Sequence, residues 1–235
     1  MSDLTRKAGA EFVGTAFLVT AVIGSGIMAS RLSPDDGGLQ LLENSLVTGA
    51  ALVALILALQ PVSAAFNPVV TLVERCLGTI SSRDAAAMVS AQVAGGSMGA
   101  VVANLMFDLD AVSMSGTERS DSHLWLGEVV ATIGLVLVIF GCLRSGRVDT
   151  IAYAVGGYIT AAYWFTSSTS FANPAVTVAR MFSDTFAGIA PSSVPMFVLM
   201  QLLGGVAALG LVRLLYPEVT DRTPSTDPAL KGRTS

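Results

Sequence analysis

The stretch "SFANPAVTVAR", Ser170 to Arg180, lies between two long apolar segments, starting as a polar loop and turning helical at its Asn-Pro pair. Earlier in the chain "AAFNPVVTLVER", Ala64 to Arg75, has nearly the same pattern. Asparagine is a strong helix N-cap, and proline suits the first helical position, where no N–H is needed. Each Asn-Pro therefore predicts a helix start. A break in so apolar a chain matters, because non-helical backbone at membrane depth is tolerated only when buried in protein or lining a watery cavity.

The chain has 235 residues, of which 52% are hydrophobic and 13% charged, and its mean hydropathy is +0.67. Soluble domains carry roughly a quarter charged residues, so the composition predicts an all-α integral membrane protein. The net charge of −4 says less about partners than the placement of the charges does. The mixed charges Asp3, Arg6 and Lys7 precede an apolar segment longer than a signal core, so that segment reads as a retained span. Cys76 and Cys142 form no CxxC pattern and read as isolated buried thiols. The lone His123 reads as a solvated loop residue with no second histidine to share a metal. No cofactor, metal or catalytic constellation is expected, and nucleic acid is not a partner.

A spanning helix needs about 20 apolar residues. Six segments qualify: Ala8–Ala29, Leu41–Gln60, Ala85–Phe107, Leu124–Leu143, Ile151–Phe165 with extensions, and Val194–Tyr216. The apolar pieces Pro68–Gly78 and Pro174–Thr185 remain; at roughly 15–18 Å they reach only half-way across. With a cytoplasmic N-terminus, one side receives Arg6, Lys7, Arg75, Arg83, Arg144, Arg147, Arg213, Arg222, Lys231 and Arg233. The other keeps Arg31, Arg119 and Arg180 beside several acidic loop residues. This bias puts both termini in the cytoplasm.

The two halves match. Glu11-Phe-Val-Gly-Thr recurs as Glu128-Val-Val-Ala-Thr, Asn67-Pro68-Val-Val-Thr71 as Asn173-Pro174-Ala-Val-Thr177, and Gln92-Val-Ala-Gly-Gly as Gln201-Leu-Leu-Gly-Gly. Each half holds three spans, so the second enters the membrane inverted. The expected organisation is a first repeat over residues 1–107 and an extracellular connecting loop over 108–123. A second repeat follows over 124–216, then a disordered cytoplasmic tail over 217–235. Inversion brings the two short helices in from opposite faces, so that their partial positive ends and two Asn amides converge at the midplane.

These paired Asn-Pro half-helices, Glu11 and Glu128, and the Gln-x-x-Gly-Gly pairs resemble the major intrinsic protein family, the aquaporins and aquaglyceroporins, over nearly the whole chain. The resemblance implies six tilted helices plus two re-entrant half-helices and one pore per protomer. It also implies a homotetramer in the lipid bilayer of the inner (plasma) membrane. Its pore centre falls on Asn67, Pro68 and Val69 with Asn173, Pro174 and Ala175, and Glu11 and Glu128 are implied to brace the re-entrant loops. The family usually has alanine where Val69 stands, and the valine either shifts the half-helix contact or narrows the midplane.

Carried over residue by residue, the family's filter falls on Thr48, Ala161, Ser170 and Val176. Val47 replaces Thr48 if the one-residue gap in the first loop is placed elsewhere. The family's usual arginine is Val176 here, and none of the four is a bulky aromatic. This implies a wide, uncharged constriction for small neutral solutes: water, glycerol-like polyols and, through similarity to a bacterial branch associated with arsenic resistance, arsenous acid and related arsenicals. Arg180 follows Val176 by one turn. The preferred reading makes it a structural arginine satisfying loop carbonyls or pairing with Asp184; the other makes it a displaced vestibule cation. Rival functions are a mainly water-conducting aquaporin, a coupled secondary transporter, which also uses inverted repeats and broken helices, and a purely structural membrane protein. Midmembrane acids for ion coupling are restricted to Glu11 and Glu128.

Overall fold

The computed structural model describes residues 2–216, so the tail expected over 217–235 lies outside the described residues. Among the described residues there are helices and no strand: α1 (Asp3–Leu32), α2 (Gly37–Leu59), α3 (Pro68–Cys76), α4 (Ser82–Met106), α5 (Ser122–Arg144), α6 (Ile151–Phe165), α7 (Pro174–Arg180) and α8 (Val194–Leu215). Five of these are long and apolar enough to cross a bilayer. The remaining span, α6, has 15 residues and is preceded by a 3₁₀ turn over Val148–Thr150. The outer surface is apolar, with Phe17, Leu126, Val206 and Leu214 more than half exposed, as a lipid-facing surface requires.

The pairs α1–α4 and α5–α8 pack in equivalent places in the two halves, and α2–α6 joins the halves. Small residues permit this closeness, since van der Waals contact rather than water exclusion holds helices together in lipid. A Cβ on Gly95 or Gly99 would lie 2.2 or 2.3 Å from the carbonyl oxygens of Phe12 and Ala16 in α1. In the second half, a Cβ on Gly204 would lie 2.9 Å from the Val129 carbonyl oxygen.

Both short helices end sooner than their apolar stretches. After α3 the chain turns through Gly78 at φ +80°. The Gly78 and Thr79 N–H groups bond back to Arg75 and Glu74 at 3.1 Å, a Schellman stop that uses glycine's freedom in the left-handed region. After α7 the chain is drawn off by Asn104 of α4, whose Nδ2 donates to the Phe182 carbonyl at 2.9 Å. The connecting loop is docked rather than loose. Ser113 and Ser115 donate to Phe182 and Met181, and Ala190 donates to Thr117. Two smaller expectations change: His123 lies in the first turn of α5, and Cys76 is exposed, with Cys142 half-buried.

Candidate functional site

Asn67 and Asn173 cap α3 and α7. The Oδ1 of Asn67 accepts from the Val69 N–H at 3.0 Å, and that of Asn173 from Ala175 at 3.0 Å and Val176 at 3.2 Å. Each amide nitrogen crosses to the other half: Asn67 Nδ2 donates to the Ala172 carbonyl and Asn173 Nδ2 to the Phe66 carbonyl, both at 2.7 Å. Those carbonyls are aimed inward because Phe66 and Ala172 both adopt φ +47°, an uncommon conformation for residues with a Cβ that persists only where the surroundings enforce it.

The enforcement comes from two buried carboxylates. Glu11 of α1 accepts from the Ala65 N–H at 2.9 Å, the Phe66 N–H at 2.7 Å and the Ser63 hydroxyl. Glu128 of α5 accepts from the Phe171 and Ala172 N–H groups at 3.0 and 2.9 Å. A third partner was not singled out from the sequence. Gln92 donates to Glu11 at 2.7 Å and to the Thr71 hydroxyl at 2.9 Å, and Gln201 donates to Glu128 at 2.6 Å and to Thr177 at 2.8 Å. The signal was present, since both Gln and both Thr are identical matches between the repeats. The loop N–H groups and the Gln amide nitrogens thus surround each carboxylate with donors at a depth where an unpaired buried charge is expensive.

One cavity of about 350 Å³ runs past both Asn side chains. One end is walled by Lys7, Glu74 and Val148, the other by Thr48, Tyr163, Ser170, Val176 and Arg180. Of the centre residues inferred from the sequence, Asn67 and Asn173 face the cavity, whereas Pro68, Val69, Pro174 and Ala175 are buried behind it. On α2, Thr48 lines the cavity and Val47 is 44% exposed on the outer surface.

The position inferred on α6 is corrected. Ala161 is exposed on the outer flank, and the α6 residues on the cavity wall are Ile151, Val155, Ile159 and Tyr163. Their spacing of four places them on one helix face, and two residues of offset turn Ala161 by about 200° away from that face. The absence of a bulky aromatic is corrected with it. Tyr163 is 3% exposed, and its hydroxyl lies 3.2 Å from the Thr48 hydroxyl. Ser170, at φ +51°, lines the same end with its buried hydroxyl unpartnered.

Arg180 is 2% exposed and shares this wall. Its Nε donates to the Ala187 carbonyl, and its guanidinium carbon stands 3.4 Å from the Phe171 ring centroid. It does not pair with Asp184, whose carboxylate accepts from the Gly116 N–H at 3.0 Å. The Phe171 ring also stacks edge-to-face on Phe197 at 5.2 Å.

The profile of the family described as "Major intrinsic protein" matches residues 1–150 and 143–232. The aquaglyceroporin AqpS of Rhizobium meliloti (strain 1021) is 50% identical over 231 residues, covering 96% of this chain and 98% of that one. The aquaporin NIP1-1 of Zea mays is 28% identical over 229 residues, covering 94% and 79%. The solved structure of the aquaglyceroporin from Plasmodium falciparum superposes with a TM-score of 0.69 at 19% identity over 92% of this chain and 96% of that one, a likeness of fold. Inverted half-helices capped by Asn-Pro, braced by matched glutamates and enclosing one cavity agree with that ancestry: the chain belongs to the major intrinsic protein family.

Proposed function

We propose that this chain is a passive channel for small uncharged solutes, namely water, glycerol-like polyols and arsenous acid, As(OH)3, with related arsenicals. The observation that carries the reading is the cavity that passes Asn67 and Asn173 and ends at Thr48, Tyr163, Ser170 and Val176. Two helix N-termini oriented toward one midplane point disfavour cations there. Each Asn has committed one amide hydrogen to the opposite loop, so its second remains to meet a solute oxygen. Hydroxyls on Thr48, Tyr163 and Ser170 supply further polar contacts on the cavity wall, which suits compact polyhydroxy molecules.

The name of the R. meliloti relative supports conduction of more than water. Val176, where the family usually has arginine, supports a constriction built differently from a water-selective one. As(OH)3 is neutral at physiological pH and about as large as glycerol, so a pore that passes one fits the other. The working assembly under this proposal is a homotetramer in the inner membrane with both termini cytoplasmic, supported by the basic residues concentrated on that side.

Stopped-flow permeability of proteoliposomes to water, glycerol, urea and As(OH)3, comparing wild type with Val176→Arg, tests the reading. The expected result is glycerol and As(OH)3 flux above empty vesicles in the wild type, with both lost and water retained in the variant. Water flux alone in the wild type would leave a water channel, and saturable, gradient-coupled uptake would indicate a transporter.

A further inference from the structure

We propose that Arg180 supplies the fixed positive charge at the Thr48–Tyr163 end of this pore, from one helical turn beyond Val176. There it shares the cavity wall with the Thr48–Tyr163 hydroxyl pair and Ser170, excludes cations and orients the oxygens of passing neutral solutes. This inference rests on the channel reading and adds the residue that sets charge selectivity.

Side chains on a helix lean toward its N-terminus, so a residue covers the surface of the turn preceding its own Cα. The N-terminus of α7 lies at the meeting of the two Asn residues and its C-terminus toward the other side of the membrane. Arg180 therefore leans back over Val176 toward the cavity, and both residues are on its wall. A short side chain at 176 leaves the long one at 180 room to occupy that level. Arginines at both positions would place two guanidinium groups in one constriction, so the valine and the displaced arginine make a compensated pair.

The surroundings of Arg180 favour a role in the pore over a purely structural one. Nε is held by the Ala187 carbonyl and the planar face rests on Phe171, which fixes where the group points. No carboxylate among the described residues lies within ion-pair distance of it, and Nε makes its one hydrogen bond within them. A structural arginine at this depth would be expected to bring a counter-charge or a full set of carbonyls, because desolvating an unmatched cation is costly. The terminal N–H groups are left for water or a solute oxygen. The nearby acceptors are just as available: the buried Ser170 hydroxyl has no partner, and Thr48 and Tyr163 have only each other. Unpaired donors and acceptors converging on one stretch of cavity match a small molecule that carries several hydroxyls, each able to donate and accept.

The test uses the full chain in proteoliposomes as wild type, Arg180→Gln, Arg180→Lys and the swap Val176→Arg/Arg180→Gln, with size-exclusion elution confirming folded protein. Potassium and proton leak are read by a voltage- or pH-sensitive dye beside water and glycerol flux. The expected outcome is a cation leak raised about tenfold or more in Arg180→Gln, near wild type in Arg180→Lys, and returned toward wild type in the swap. Equal cation leak in wild type, Arg180→Gln and Arg180→Lys would overturn the assignment. Should Arg180→Gln not fold, the swap decides: low leak supports a transferable charge, and high leak overturns it. A wild type that conducts no neutral solute sinks the channel reading itself, whereas a conducting wild type with an unchanged Arg180→Gln sinks only the role of Arg180.

Discussion

Val69 occupies the space that a side chain on Gly205 would need: a Cβ added at Gly205 would lie 2.5 Å from Val69 Cγ1. The valine on the first half-helix is therefore accommodated by a glycine in α8, not by the pore. It is 2% exposed and packs with Val73, Val136, Phe140 and Val212, while its neighbour Val70 is the one on the cavity wall. The choice left open by the sequence, between a shifted contact and a narrowed midplane, resolves into local packing against α8.

Gly205→Ala is accordingly expected to destabilise the protein by about 1–3 kcal/mol through overpacking. Val69→Ala in the same chain should recover most of that loss, since the two side chains share one volume. Thermal unfolding in detergent of the two single variants and the double variant measures the coupling. Strict additivity would show that the two residues do not compete.

Replacing either buried carboxylate is expected to be severe. In Glu128→Gln one oxygen becomes an NH2 that faces donors, the Phe171 or Ala172 N–H or the Gln201 amide. Leaving a buried donor unmatched and opposing it with another costs about 2–4 kcal/mol. Glu11→Gln should behave alike, because Phe66 and Gln92 stand in the equivalent places. Both variants should lose thermal stability and solute flux together, since the same bonds hold the loops whose carbonyls receive the Asn67 and Asn173 amides.

On α6 the exposed Ala161 and the cavity-lining Tyr163 should respond oppositely. Ala161→Phe is expected to change stability by no more than about 0.5 kcal/mol and to leave the ranking of water, glycerol and As(OH)3 unchanged. Tyr163→Ala should raise glycerol flux relative to water by opening the wall opposite Thr48. A selectivity change in Ala161→Phe alone would restore the family-based alignment of this helix.

Glu118 in the connecting loop offers a pH dependence. It accepts from Ser192, Ser193 and Ser120 at 2.9, 3.0 and 3.1 Å, and these hydrogen bonds hold its carboxyl below the ordinary carboxylate range. A carboxylate depressed in the folded state stabilises fully above its unfolded value, and that contribution is lost as pH falls through the folded value. Hydrogen exchange in the loop over 113–119, corrected for intrinsic rate, should therefore rise below about pH 4. Glu118→Gln should exchange faster near neutrality and lack that step.

Much of this protein was legible in its residues because the governing constraints are local. Apolar runs long enough to span, Asn-Pro starts and the requirement that lipid-depth backbone be satisfied internally predict the helices, the two half-helices and their meeting. The repeat matches mark Glu11, Glu128 and both Asn by position, and they carry Gln92, Gln201, Thr71 and Thr177 with them unrecognised, since a match between halves does not say which group bonds which. What only the tertiary structure decided is where long or rotatable elements point. The register of α6 depends on how the loop from Thr166 to Ala172 is folded, with Thr169, Ser170 and Ala172 all at positive φ, and two residues of slip turn a helix face by about 200°. That slip replaces Ala161 with Tyr163 at the pore. The placement of Arg180 on the Phe171 ring likewise comes from packing around a flexible side chain, which no spacing in the sequence specifies.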